Sequence, residues 1–180
     1  MSDADILELI SDQATLEKGF RLLMTRYQER LYWHVRRLVV THEDADDVIQ
    51  NTFIKVFKGL SGFKGNSKLY TWLYRIATNE TMSFLQKSKR HQTQSTDGEQ
   101  DLTQNLRADP FFDGDEVQAQ LIEAIQQLPE KQRIVFNMRY YDEMKYTEIS
   151  EVLGTSVGGL KASYHHAAKK IEHFFREASA

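Results

Sequence analysis

Along most of the chain apolar residues return every three or four positions, the spacing that lines one face of a helix. Between residues 15 and 40, Phe20, Leu23, Tyr27, Leu31, Val35 and Leu38 form one stripe and predict a long amphipathic helix, preceded by a short, weak one over 3–10. Thr41, three residues before Asp44, has the form of a capping box and predicts the start of the next helix. That helix would carry Val48, Ile49, Phe53, Val56 and Phe57 inward and end near Gly59. A loop over 61–67 follows. Leu69, Trp72, Leu73, Ile76 and Ala77 then mark a fourth helix that runs to about Arg90.

The periodicity lapses over residues 91–112, which are polar, rich in Gln, Thr and Asp, and predicted to be a linker. Fully extended, those 22 residues would reach ~70–80 Å, enough to hold two domains apart on a large partner. Helical spacing resumes near Asp113 with Val117, Leu121, Ala124, Ile125 and Leu128. Pro129 suits the first position of a further helix, whose inner face would be Ile134, Val135, Met138 and Tyr141. Residues 146–153, a Gly154-Thr155-Ser156 turn and a helix from Val157 to about Phe175 have the form of a helix-turn-helix. Leu160, Tyr164, Ala167, Ile171 and Phe174 would face in, and Gly158, Lys161, Ala162, His165 and Lys169 out. No segment alternates as a strand does. The fold class is therefore all-α: two small helical domains, 1–90 and 113–180, joined by a flexible polar linker over 91–112, the C-terminal one a helix-turn-helix.

Charge refines this picture. The chain is net negative at -3, yet Lys64, Lys68, Arg75, Lys87, Lys89 and Arg90 face a lone Glu80 between residues 64 and 90. Interleaved with Tyr70, Tyr74 and Asn79, these cations suit a strand of nucleic acid, since cations track phosphates and aromatic faces stack on bases. A core helix with a solvated basic end fits the same residues about equally well. Trp72 sits on the apolar stripe and belongs to the core rather than to a stacking platform. Glu43, Asp44, Asp46 and Asp47 lie within one helical start, where the helix dipole favours them, and with no Lys or Arg among them they also present a negative docking face. His42 beside them would make a metal site or a small hydrolase conceivable, but no second ligand or catalytic cluster accompanies it. No catalytic residue, metal site or cofactor is assigned. Cys is absent, which removes disulfides, thiolate zinc sites and Cys nucleophiles and fits a reducing cytoplasm. No apolar run approaches the ~18 residues of a membrane helix, so direct membrane insertion is not expected.

Three motifs in order resemble the small two-domain extracytoplasmic-function (ECF) group of bacterial RNA polymerase sigma factors. Residues 44–53 are similar to the family's segment that docks on the clamp helices of the polymerase's largest subunit, which assigns Asp44, Asp46, Asp47, Gln50 and Phe53 to polymerase binding. Residues 63–67 leading to 71–79 resemble the segment that opens and reads the melted promoter element, which assigns Lys64, Asn66, Lys68, Arg75 and Asn79 to DNA. Residues 128–133, 146–153 and 159–161 resemble the domain that binds the upstream duplex and the polymerase flap region, which assigns Ser156, Gly159, Lys161, His165 and Lys169 to DNA. Many relatives carry Lys-Ser-Arg and a later Arg where this chain has Lys161-Ala162-Ser163 and His166, so the usual guanine readers are missing. The resemblance implies a promoter-specificity subunit rather than an enzyme, with core RNA polymerase, promoter DNA and an anti-sigma protein as partners. A stand-alone helix-turn-helix regulator is the alternative, and a pure interaction module is disfavoured by the two separate basic surfaces.

Overall fold

The computed structural model describes residues 1–39, 41–92 and 114–180, and every described element is helical. Helix α1 (Asp3–Ser11) begins at a reciprocal capping box in which the Ser2 hydroxyl accepts from the Asp5 N–H at 3.2 Å and the Asp5 carboxylate accepts from the Ser2 N–H. It lies close on α2 (Leu16–Arg36), because Gly19 presents no side chain. A Cβ there would stand 2.8 Å from the Ile10 Cγ1. The stripe on α2 buries Leu23, Tyr27, Leu31 and Val35 as the spacing predicts, with Leu38 buried just beyond the helix end. Each such side chain contributes about 1.5–3 kcal/mol when fully withdrawn from water.

Helix α3 (His42–Gly59) starts where predicted, with the Thr41 hydroxyl accepting from the Asp44 N–H at 3.1 Å. Its core face is Ala45, Val48, Thr52, Phe53 and Val56. Phe57 departs from the expectation: it is 45% exposed. Successive helical residues turn by ~100°, so with Val56 at the centre of the core face Phe57 is carried to its edge. A 3-10 turn (Leu60–Gly62) leads through the loop to α4 (Leu69–Gln92), two residues longer than the pattern suggested. Leu69, Leu73 and Ala77 are buried in α4, and so is Tyr74, fully, which corrects its reading as a base-stacking surface.

The predicted linker falls almost wholly in residues 93–113, outside the described residues, as does the expected domain start at Asp113. Beyond it come α5 (Glu116–Gln126) and α6 (Glu130–Tyr140), with Pro129 as the residue that caps α6 rather than its first helical position. Val117 is 64% exposed instead of lying on the inner stripe. Helices α7 (Tyr146–Leu153) and α8 (Val157–Ala178) complete the helix-turn-helix. One small core of Ala124, Ile125, Leu128, Phe136, Ala167 and Ile171 joins α5, α6 and α8.

The larger core does not stop at the boundary between the two helical units. Leu69, Leu73 and Tyr74 belong to the same apolar cluster as Met138, Met144, Ile149 and Val152. The two helical units are in contact, because α4 packs against α7. Polar contacts converge on the α6–α7 connection. Asp142, only 3% exposed, accepts from the His34 Nδ1 at 2.7 Å and from the Tyr74 hydroxyl at 3.4 Å, with the Arg37 guanidinium 3.6 Å away. Arg30 donates to the Asp142 carbonyl at 2.8 Å, and the His34 Nε2 lies 2.9 Å from the Thr78 hydroxyl. A buried carboxylate is costly unless paired and hydrogen-bonded, and here it is both. Burial pushes Tyr74 up from its ordinary titration range, with the nearby Asp142 charge adding to the shift.

Candidate nucleic-acid and docking interfaces

The acidic start of α3 presents Asp46, Asp47 and Gln50 to solvent, with Asp44 half-buried. Asp46 is held 3.2 Å from the His42 Nε2, and the His42 Nδ1 lies 2.6 Å from the Tyr32 hydroxyl. Phe53, expected at the docking face, is 5% exposed. Its ring forms the floor of a groove between α2 and α3, also lined by Phe20, Met24, Ile49, Ile54 and Phe57, with a volume of about 440 Å³. Ile54 at 51% and Phe57 at 45% exposure give the acidic helix an apolar edge. Phe57 meets Phe20 edge-on at 5.0 Å between ring centroids. The sequence signal for this edge was present: Ile54 lies off the core stripe altogether.

The loop before α4 turns at Gly65, whose φ of 70° lies in the left-handed region that glycine enters without steric cost. Its root is fixed by Phe63 on Trp72, ring centroids 5.0 Å apart, which places Trp72 in a packing role. Lys64, Asn66, Lys68 and Asn79 are exposed and Arg75 is half-exposed. Asn79 lies one turn beyond Arg75 on α4, so these side chains and the loop can share one surface. Two of its cations are engaged by α7. Lys68 pairs with Glu148 at 3.1 Å, and Arg75 donates through Nε and Nη2 to the Glu151 carbonyl at 3.1 and 2.8 Å. Burial works against the ionised Glu148, but the Lys145 N–H and the Lys68 ammonium outweigh it and hold its carboxyl below the usual range. Farther along α4, Lys89 pairs with Glu130 at 2.5 Å.

The helix-turn-helix is built by its caps. Glu148 accepts from the Lys145 N–H at 3.0 Å to start α7. Gly154 at φ 69° ends it, donating to the Ser150 carbonyl at 2.8 Å. Ser156 then caps α8, its hydroxyl accepting from the Gly159 N–H at 3.1 Å. That contact occupies Gly159 and leaves the helix tip before it for solvent or an anion. Leu160 faces the core, and Lys161, His165 and Lys169 project from the outer side together with Gly158 and Ala162. The Lys161 ammonium lies 5.9 Å from the Tyr146 ring centre. The predicted DNA residues thus fall on two surfaces, one on the loop and α4, one on α8, and the predicted docking residues on a third. Among the described residues no three His, Asp or Glu side chains converge as metal ligands, and no helix is long and apolar enough to cross a membrane. Asp142 and His34, which join the two units, were not singled out from sequence.

A helix-turn-helix beside a helical unit with its own basic, loop-bearing face is the arrangement of a DNA-binding transcription protein. Residues 23–91 match the family model described as Sigma-70 region 2, and residues 118–171 the one described as Sigma-70, region 4. The chain is 30% identical over 172 residues to the RNA polymerase sigma-H factor of Pseudomonas aeruginosa, covering 87% of this chain and 86% of that one. The chain belongs to the sigma-70 family of RNA polymerase sigma factors, in the ECF group, and directs promoter recognition and the initiation of DNA-templated transcription. It is likewise 30% identical over 181 residues to the ECF RNA polymerase sigma-E factor of Haemophilus influenzae, covering 92% of this chain and 95% of that one. Two solved structures share the fold. The sigma factor RpoE in complex with the anti-sigma factor NepR from Bartonella quintana has a TM-score of 0.76 at 21% identity, covering 88% of this chain and 98% of its own. CnrH in complex with the cytosolic domain of CnrY has a TM-score of 0.71 at 19% identity, covering 97% of each.

Proposed function

We propose that the three surfaces divide the work of a sigma factor among them. The acidic start of α3, with Asp44, Asp46, Asp47 and Gln50 over the Phe53-floored groove, docks on the clamp helices of core RNA polymerase. Lys64, Asn66, Lys68, Arg75 and Asn79 read the melted promoter element. Small polar loop residues suit capture of an extruded base, whose Watson–Crick edge polar side chains can read. Ser156, Gly159, Lys161, His165 and Lys169 approach the upstream duplex, Ser156 and Gly159 at the helix tip and the others along its outer face. With Ser163 and His166 at positions where many relatives carry Arg, that contact leans on phosphates and shape more than on guanine edges. Residues 1–90 and 113–180 act as the two functional units.

The observation that carries this reading is that one chain holds an acidic, apolar-edged helix and two separate cation-bearing surfaces. A polymerase docking site and two DNA readers require that combination. The protein acts as a cytoplasmic specificity subunit without catalytic activity of its own and needs no cofactor. One structural neighbour is held in complex with an anti-sigma factor and another with the cytosolic domain of a partner, which supports an anti-sigma protein as its regulator. The test is run-off transcription from a cognate promoter with purified core polymerase. Transcript from the native chain and its loss in Asp47→Lys, with the helical circular-dichroism signal intact, is the expected result; equal transcript from the variant would remove α3 from the docking role.

A further inference from the structure

Of Glu43, Asp44, Asp46 and Asp47 at the start of α3, Asp46 alone has a side-chain partner among the described residues. The partner is His42, the first residue of the helix, one turn earlier on the same face. Its Nε2 lies 3.2 Å from the Asp46 carboxylate, and its Nδ1 lies 2.6 Å from the Tyr32 hydroxyl on α2. These two contacts fix how the ring is used. A neutral imidazole has one donor and one acceptor, so both partners are satisfied when the Tyr32 O–H donates to Nδ1 and the Nε2–H donates to Asp46. A protonated ring also puts its Nε2–H on Asp46, with Tyr32 then accepting from Nδ1. The inner end of the chain is braced: the half-buried Tyr32 ring meets Trp33 edge-on at 5.3 Å and His42 at 5.7 Å between centroids. Asp46 is thereby tethered to α2 through the imidazole, whereas the exposed Asp47 beside it has no such tether.

Asp46 and His42 line a cleft of about 440 Å³ whose other walls include Glu29, Tyr32, Trp33 and Ile49. Ile49 and Gln28 also line the neighbouring apolar groove, so the cleft continues that groove toward the start of α3. The carboxylates of Glu29 and Asp46 beside the rings of Tyr32 and Trp33 suit a cationic side chain, since the carboxylates supply charge and ring faces attract a cation. We propose that His42 is a positioning residue for polymerase docking: the Tyr32–His42–Asp46 chain holds the Asp46 carboxylate at this cleft for a cationic side chain of the core enzyme. The proposal rests on the assignment of Asp46 to docking. Ordering a flexible side chain on binding costs entropy, and a carboxylate fixed beforehand avoids that cost. His42 acts through Asp46 and need not touch the polymerase itself.

Replacements at His42 separate the two ring nitrogens. In His42→Asn the amide oxygen falls near the Nδ1 position and no donor reaches Asp46. In His42→Gln the amide nitrogen falls near the Nε2 position and keeps that donor. Capture of the full-length chain by immobilised core RNA polymerase, at low and high salt and beside the thermal midpoint of each variant, reads the difference. His42→Asn should weaken capture several-fold at low salt, His42→Gln should retain most of it, and Tyr32→Phe should fall between them. The loss in His42→Asn should shrink at high salt, as a presented charge is screened. It should vanish in an Asp46→Ala background, where no carboxylate is left to position. Equal losses in His42→Asn and His42→Gln, or a loss that persists beside Asp46→Ala, would make His42 a structural or directly docking residue and overturn the proposal. Full capture by His42→Asn would overturn it too. The underlying assignment is tested separately, since Asp46→Ala should weaken capture by itself. If it does not while Asp47→Lys does, α3 docks without Asp46 and the proposal falls alone; if neither does, the docking role of α3 falls with it.

Discussion

At the scale of single residues, position on a helix decides between packing and recognition. Asn79 is exposed on α4, one turn beyond Arg75 and away from the buried Ala77 and Thr78. An amide can satisfy a base edge with a donor and an acceptor at once. Asn79→Ala should therefore cost ~1–3 kcal/mol at one promoter position in competition binding by holoenzyme and little at the others. A uniform loss would make Asn79 a phosphate or packing residue. Lys161, a point charge on the outer side of α8, should behave in the opposite way: Lys161→Ala lowers affinity for all sequences alike and flattens the salt slope by about one. Loss of discrimination at a single base pair would instead assign it a base contact. Residue by residue, the exposed candidates were legible because off-stripe polar residues on an amphipathic helix face water. Tyr74 was not. Aromatic residues mark both cores and stacking surfaces, and contacts distant in sequence, with His34 and Asp142, make this ring interior.

At the scale of elements, the sequence carried the starts and stops because they are local chemistry. Thr41 caps α3, Ser156 caps α8 and Gly154 ends α7, each with a hydrogen bond to a near neighbour. Gly154→Ala forces a Cβ into φ 69° and should destabilise the chain by ~1–2 kcal/mol, read as a lower midpoint in urea. Gly158→Ala, in the first turn of α8 with open space at its Cβ, should leave stability unchanged or raise it by up to ~1 kcal/mol. The two variants together test whether the turn needs glycine for its backbone or for close approach. The edges of the amphipathic faces were harder to read. Phe57 and Val117 are apolar and near the right spacing, yet each lies beyond the arc that its neighbours can cover. On α3 that overhang is the apolar margin of the groove proposed for docking. Shortening it with Phe57→Ala leaves the buried Val48 and Val56 in place, so core capture should weaken with little change in the thermal midpoint. A large drop in stability would show that Phe57 is chiefly a core residue.

At the scale of the whole molecule, composition and spacing gave the all-helical class, but not the closeness of the two units. Their contact depends on His34, Tyr74 and Asp142 meeting across long stretches of chain, and none of them is part of a local pattern. A long polar connection indicates what separation is possible; the apolar faces of α4 and α7 determine what the free chain does. In that arrangement Lys68 and Arg75, proposed for the melted element, are engaged by α7, and the outer side of α8 presents Lys and His rather than Arg. Unstacking bases costs a few kcal/mol per step, and the chain has no nucleotide-hydrolysis motif to supply it. On the proposed division of labour, core polymerase sets the spacing of the two units and contributes the remaining contacts, turning two weak readers into one specific one. A permanganate footprint on a cognate promoter tests this division of labour most directly, comparing the chain alone, core polymerase alone and the two together. Reactive thymines in the mixture only are the predicted result, and melting by the chain without polymerase would contradict the account.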